Sequence, residues 1–262
     1  MNTFLAKRYL RYKLFSTHAR GHGIHSPFVY ELIRDVFMNK KYFPEYSRII
    51  DRKNQLENCH DVIEIKDFGA GSTIFKDNRR KVSHLAKVSA VPQKYGRLLF
   101  RLVRWLKPET IVELGSCVGI GTSYLALGNA GSEVVSIEGD PGTADIAKRT
   151  FDALGIRNVN LVCGNFDEVL EDILANHDKV DLAYIDGNHR KEPTLRYFDL
   201  LKKKTTRTSL LIFDDIHLSP EMEEAWELIK ADETVTITVD IFRFGLVFFN
   251  EGTVKQHFTI RY

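Results

Sequence analysis

Five short apolar runs set along the second half of this chain constrain its fold more than any other feature. They lie at Ile111–Leu114, Val134–Glu138, Val159–Phe166, Val180–Gly187 and Leu210–Ile216, and each reaches polar residues at its carboxyl end. Segments of helical period separate them, at about 120–130, 142–155, 166–176 and 192–204, and another follows at 220–231. Buried strands alternating with amphipathic helices predict an α/β fold with a mostly parallel sheet, whose ligands bind at the carboxyl edge of the strands. The last helix carries its own start signals: Ser219 as N-cap, Pro220 at the first position, and Glu221 and Glu223 in the first turn.

The first run leads into Gly115-Ser116-Cys117-Val118-Gly119 and then a helix from about Ile120. Glycine lacks Cβ, so the backbone can bend sharply and approach a ligand. The helix that follows offers unpaired N–H groups and the positive end of its dipole. Such a turn is weak evidence alone, but the second run ends in Glu138, about twenty residues on, where a carboxylate meets a ribose diol.

Glu113-Leu114-Gly115-Ser116 with Gly119, Glu138, Asn165-Phe166, the stretch Tyr184 to His189, and Phe213-Asp214-Asp215-Ile216 together resemble the class I S-adenosylmethionine-dependent methyltransferases. The group most similar is that of catechol and sugar O-methyltransferases, over roughly residues 85–250. The resemblance implies a Rossmann-like sheet closed by an antiparallel hairpin. It also implies S-adenosyl-L-methionine as cofactor, bordered by Glu113, Gly115, Ser116, Gly119, Glu138, Gly139, Asn165, Phe166 and Asp186. Glu113 and Gly115 fall to the methionine part, Glu138 to the ribose and Asn165-Phe166 to the adenine.

Activation of the acceptor is the second half of the chemistry, because a protonated hydroxyl is a poor nucleophile. A divalent cation on its oxygen would lower the pKa and fix its position. In the catechol-type family an Asp after the fourth strand and an Asp-Asn pair after the fifth bind that metal. The resemblance therefore assigns Asp186, Asp214 and Asp215 to magnesium or a similar cation, with Asp-Asp departing from the family pattern. A pair relieved by a basic side chain, with no metal, is the competing reading. His189 stands three residues after Asp186, where the family carries a catalytic lysine, and is the candidate general base beside Asp186; His217 competes for the role.

Composition bounds the rest. At 262 residues the chain can bury a sizeable core, and the resemblance divides it into an N-terminal helical extension and lid (1–84) and a catalytic domain (85–262). No apolar run approaches a membrane span and no signal-peptide pattern opens the chain, so a cytoplasmic location is expected. Cys59, Cys117 and Cys163 show no C-x-x-C spacing. Charge is uneven: residues 1–107 hold 22 Lys/Arg against 9 Asp/Glu, and residues 108–262 hold 15 against 26. The two parts could attract one another, or the basic part could face an anionic substrate or RNA.

The N-terminal part reads as an amphipathic helix over 4–15, a glycine-rich loop with His18, His22 and His25, and a helix over about 27–38. That loop is read as part of a lid rather than a metal site. Residues 62–72 imitate the cofactor turn, but no strand ending in an acid follows, so Asp67–Ser72 is read as a loop near the active-site mouth. Residues 82–105 read as helical, Thr234–Phe242 and Gly245–Asn250 as the closing strands, and 254–262 as an edge strand.

The expected function is methylation of a hydroxyl on a small or sugar-like molecule, in a chain that could be a homodimer. Rivals are a tRNA methyltransferase, an NAD-dependent oxidoreductase using the same turn, and a binding protein without turnover. The missing Asp/Asn-Pro-Pro-Tyr/Phe motif speaks against amino methylation of bases.

Overall fold

A computed structural model describes residues 3–16, 23–65, 79–252 and 254–262. These fall into two compact units, one of residues 41–176 and one joining residues 1–40 to 177–262. The main sheet has eight strands, three in the first of these units and five in the second.

In the 41–176 unit, α3 (Pro44–Glu57) precedes a small antiparallel pair, β1 (Val62–Glu64) and β2 (Arg79–Lys81). The helical pattern over 82–105 is interrupted at Pro92, giving α4 (Val82–Val88) and α5 (Gln93–Leu106). Proline removes a backbone donor and fixes φ, which ends one helix and opens the next. Strands β3 (Thr110–Leu114), β4 (Glu133–Glu138) and β5 (Val159–Cys163) are parallel, in that spatial order, with α6 (Ile120–Gly128), α7 (Pro141–Leu154) and α8 (Phe166–Ala175) following them. α7 shows how locally specified these elements are. Asp140 caps it by accepting from Thr143 N at 2.7 Å, Pro141 opens it, and Gly155 at φ +69° ends it.

The other unit begins with α1 (Thr3–Phe15) and α2 (Pro27–Leu32), which runs on as one π-helical turn over Ile33–Phe37. After residue 177 come β6 (Leu182–Ile185), α9 (Lys191–Lys202), β7 (Leu210–Phe213), α10 (Pro220–Ala231), β8 (Ile237–Asp240), β9 (Gly245–Phe248) and β10 (Gln256–Thr259). β6 and β7 are parallel; β9 is antiparallel to both β7 and β8, which is the expected closing hairpin. β10 lies parallel to β8 at the sheet edge, so the segment read as an edge strand is one. β6 and β7 are buried along their whole length, as the continuous apolar runs require. Ser219 caps α10 by accepting from Met222 N.

His18, His22 and the Asp67–Ser72 loop lie outside the described residues.

Candidate functional site

The turn after β3 is built on a buried polar chain. Glu113 Oε2 accepts from Thr122 Oγ1 and from Ser136 Oγ, both at 2.5 Å, and Ser136 Oγ meets Ser116 Oγ at 2.5 Å. These four side chains tie β3, the turn, β4 and α6 together, and all are buried. Glu113 has no exposed surface, so it lies beneath the turn; burial pushes its carboxyl up from 4.5 to about 7, against the two hydroxyl donors.

Above that chain the backbone turns through left-handed residues: Gly115 at φ +103°, Cys117 at +48° and Gly119 at +80°. A Cβ on Gly119 would come within 2.8 Å of the Phe151 ring and 3.1 Å of the Ala147 backbone, so glycine here lets α6 start against α7. Glu138 closes the cradle. Its Oε2 accepts from Cys117 N at 2.8 Å and its Oε1 from Asp140 N at 3.1 Å. Each carboxylate oxygen retains a lone pair for a further donor. Burial raises the group from 4.5 to about 6, opposed by those backbone N–H groups. Asn165 caps α8 by accepting from Asp167 N at 3.1 Å, with Phe166 beside it at the end of β5. Gly139 follows Glu138 directly in the chain.

The second group of expected residues lies in the other unit. Tyr184, in β6, places its hydroxyl 2.9 Å from Asp186 Oδ2 and 3.0 Å from Asp214 Oδ2. Arg243, in the tip of the β8–β9 hairpin, donates from Nη2 to Asp214 Oδ2 at 2.7 Å and stands 3.8 Å from Asp215 Oδ2. Asp214 Oδ1 accepts from the backbone N–H of Asp215 at 2.7 Å, so both of its oxygens are engaged. Burial pushes Asp186 up to about 6 and Asp214 up to about 7. The negative charge of Asp215 adds to the first shift and that of Asp186 to the second, while Arg243 opposes both. Asp215 is raised by burial and then by Asp214. Burial works against the charge of Arg243, yet Asp214 and Asp215 hold its pKa above the ordinary arginine value.

His189 Nε2 lies 3.6 Å from Asp186 Oδ1, with a quarter of its side chain exposed. The two cations beside it are engaged elsewhere: Arg190 donates to Asn188 Oδ1, and Lys191 reaches Glu224. His217 is placed differently. It is buried, with Nδ1 2.8 Å from Glu223 and Nε2 2.9 Å from Asp240, so both ring nitrogens face carboxylates. That leaves neither to take a substrate proton.

A family profile described as a methyltransferase domain matches residues 112–216, a stretch running from the start of the cradle to the Asp214-Asp215 pair. The tRNA (guanine-N(7)-)-methyltransferase of Mycoplasma mobile is 32% identical over 104 residues, 37% of this chain and 52% of that protein. A transmembrane O-methyltransferase homolog of Mus musculus is 30% identical over 126 residues, 46% of each chain. The chain thus spans about half the length of the curated relatives it matches. Among solved structures, the O-methyltransferase TomG of Streptomyces achromogenes, in complex with SAM, superposes with a TM-score of 0.58 at 18% identity. The match covers 83% of this chain and 96% of that one. The fold is therefore the Rossmann-like methyltransferase fold, with its mostly parallel sheet and antiparallel closing hairpin.

The metal expected at Asp186, Asp214 and Asp215 does not fit these residues as they are engaged. Three carboxylates are the right donors for a hard cation, but Asp214 is already bound by Arg243 and Tyr184. Among the described residues no group of three or more His, Cys, Asp or Glu is arranged to hold a metal ion. No described helix is long and apolar enough to cross a membrane.

The sequence gives Tyr184 a place in the resemblance but no role, and gives Arg243 neither. Each left a signal: a tyrosine in an otherwise aliphatic strand, two residues before Asp186 and so on the same face, and a lone cation in the closing-hairpin turn Phe242-Arg243-Phe244.

Proposed function

We propose that this protein is an S-adenosylmethionine-dependent O-methyltransferase acting on a hydroxyl of a small molecule. The observation that carries the reading is Glu138: a carboxylate at the end of β4, held by two backbone N–H groups, with acceptor capacity left for a vicinal diol. Gly115, Ser116 and Gly119 shape the backbone that faces the methionine moiety, Gly139 borders the ribose, and Asn165 with Phe166 flanks the adenine. Glu113 supports this turn from beneath, its Oε2 engaged by Thr122 and Ser136 and its side chain without exposed surface.

The transfer is an in-line displacement: the acceptor O–CH3 bond forms as the sulfonium S–CH3 bond breaks, and the bonding pair stays on sulfur. The hydroxyl proton goes to His189, which Asp186 orients and whose positive charge Asp186 then offsets. The extension expected to cover the site is represented by α1, whose Tyr9 and Tyr12 rings pack on Phe242 beside Arg243, at 5.0 and 5.3 Å between centroids.

A second reading is favoured by the Mycoplasma relative, named for action on tRNA, and by the basic first 107 residues. Methylation of tRNA that falls about a thousandfold or more between roughly 50 and 200 mM salt would support it, because phosphate contacts release counterions.

The test is calorimetric titration of S-adenosylhomocysteine into the whole chain. Wild type should bind, and Glu138→Ala should weaken binding about a hundredfold, the loss of two hydrogen bonds to a charged group. Absence of binding to wild type would end the methyltransferase reading.

A further inference from the structure

Three carboxylates from the ends of two neighbouring strands need a countercharge, and the fold supplies one from a third element. The β8–β9 turn is costly to build. Phe242 sits at φ +74°, a conformation that bulky side chains rarely adopt. It is held there by its own N–H, which donates to Asp240 Oδ1 at 2.7 Å, and by three rings around its side chain: Tyr9, Tyr12 and His217, the last at 5.4 Å. His217 is itself fixed between Glu223 and Asp240. The loop after β7 bends through Asp215 at φ +51°, and Ile216 N donates to the Arg243 carbonyl at 3.4 Å. The outcome is a guanidinium whose side chain is 24% exposed, against an Asp214 side chain with no exposure at all.

That guanidinium stands where a cation shared by Asp214 and Asp215 would have to stand. A magnesium or manganese ion binds carboxylate oxygens at about 2.0–2.2 Å. To reach Asp214 Oδ2 it would have to displace a charge-assisted hydrogen bond of 2.7 Å and break the Tyr184 contact. Were Arg243 to withdraw, Asp214, whose side chain has no exposure, would face Asp186 and Asp215 without that countercharge.

We propose that Arg243 takes the place of the divalent cation in this site, so that the protein balances its acidic cluster internally and transfers methyl groups without a metal. Arg243 is a positioning residue: it fixes Asp214, and through Tyr184 it fixes Asp186, the partner of His189. Deprotonation of the acceptor then rests on His189 alone. This inference rests on the methyltransferase reading above for the reaction, but the role of Arg243 can be tested apart from it.

The experiment is titration of Mn2+ into the whole chain, with free Mn2+ followed by electron paramagnetic resonance, for wild type, Arg243→Ala and Arg243→Gln. S-adenosylhomocysteine titration with and without chelator runs beside it. Wild type should leave Mn2+ free into the millimolar range and bind S-adenosylhomocysteine equally well with chelator. Removing the guanidinium should expose the carboxylates and tighten Mn2+ binding at least about tenfold. Stoichiometric micromolar Mn2+ binding by wild type, abolished in Asp214→Ala, would overturn the proposal. So would a folded Arg243 variant that binds Mn2+ no better than wild type, because Arg243 would then not be what keeps a cation out. Should neither variant fold, the wild-type titration decides the matter. Failure of S-adenosylhomocysteine to bind would end the reading of the reaction while the Mn2+ result still judged Arg243.

Discussion

Glu113 and Asp214 are both carboxylates at the ends of buried strands, with 0% and 1% of their surface exposed, and burial pushes both up to about 7. Their surroundings differ. Glu113 is held by the neutral hydroxyls of Thr122 and Ser136, in a chain that ends at Ser116 under the glycine turn. Asp214 is held by a guanidinium and a phenol, with Asp186 and Asp215 crowding it. One environment is suited to keeping a carboxyl protonated as a rigid strut. The other gathers charge and balances it with charge, the Arg243 guanidinium against neighbouring carboxyls, with His189 close enough to act on Asp214 and Asp215 as well. Burial alone therefore does not tell the role of an acid; the charge of what donates to it does.

The contrast breaks most plainly at Asp214. Asp214→Ala should cost about 3 kcal/mol of stability in urea unfolding, since it removes the hydrogen-bonded partner of the partly buried Arg243 and leaves it the more distant Asp215 at 3.8 Å. A loss below about 1 kcal/mol would mean that water satisfies Arg243 and that the balance of charges is not structural.

A comparable effect, of different kind, is expected at Glu113. Its folded pKa is raised, so the native state holds the proton more tightly than the unfolded chain. That stability is fully present below about 4.5 and is lost as pH rises to about 7. The shift corresponds to about 3 kcal/mol. Glu113→Gln, which keeps the strut neutral, should remove about that much of the pH dependence between 4.5 and 7.5. Equal pH profiles for wild type and variant would show that Glu113 stays ionised.

Glu138 sharpens the comparison from the ligand side. A diol donates to the ionised carboxylate, and burial raises this group to about 6. Affinity for S-adenosylhomocysteine should therefore fall about tenfold from pH 7.5 to pH 5, and Glu138→Gln should flatten that profile. A flat wild-type profile would remove Glu138 from ligand binding.

The strands, their polar ends and most helix boundaries were legible in the sequence because they are set locally. Ser219 and Asp140 cap, Pro141 and Pro220 open, Gly155 closes, and continuous apolar runs mark strands buried on both faces. Glu138 was legible for the same reason, standing at the end of a strand a fixed distance from a glycine turn. The break at Pro92 had its signal in plain view, yet the periodicity of 82–105 reads straight through it.

By itself, then, the sequence determined a mostly parallel α/β sheet closed by a hairpin, a glycine turn with its acid, and three carboxylates at strand ends. What surrounds those carboxylates was decided only by tertiary structure. Arg243 reaches Asp214 across 29 positions of sequence, and Tyr184 across 30. Neither periodicity nor spacing encodes such a meeting, because it depends on the order of strands in the sheet and on a strained turn held by distant aromatic rings. The same separation hides the roles of the two histidines. His217 is closed off by Glu223 and by Asp240 from a later strand, whereas His189 has Asp186 at 3.6 Å and keeps a quarter of its side chain exposed.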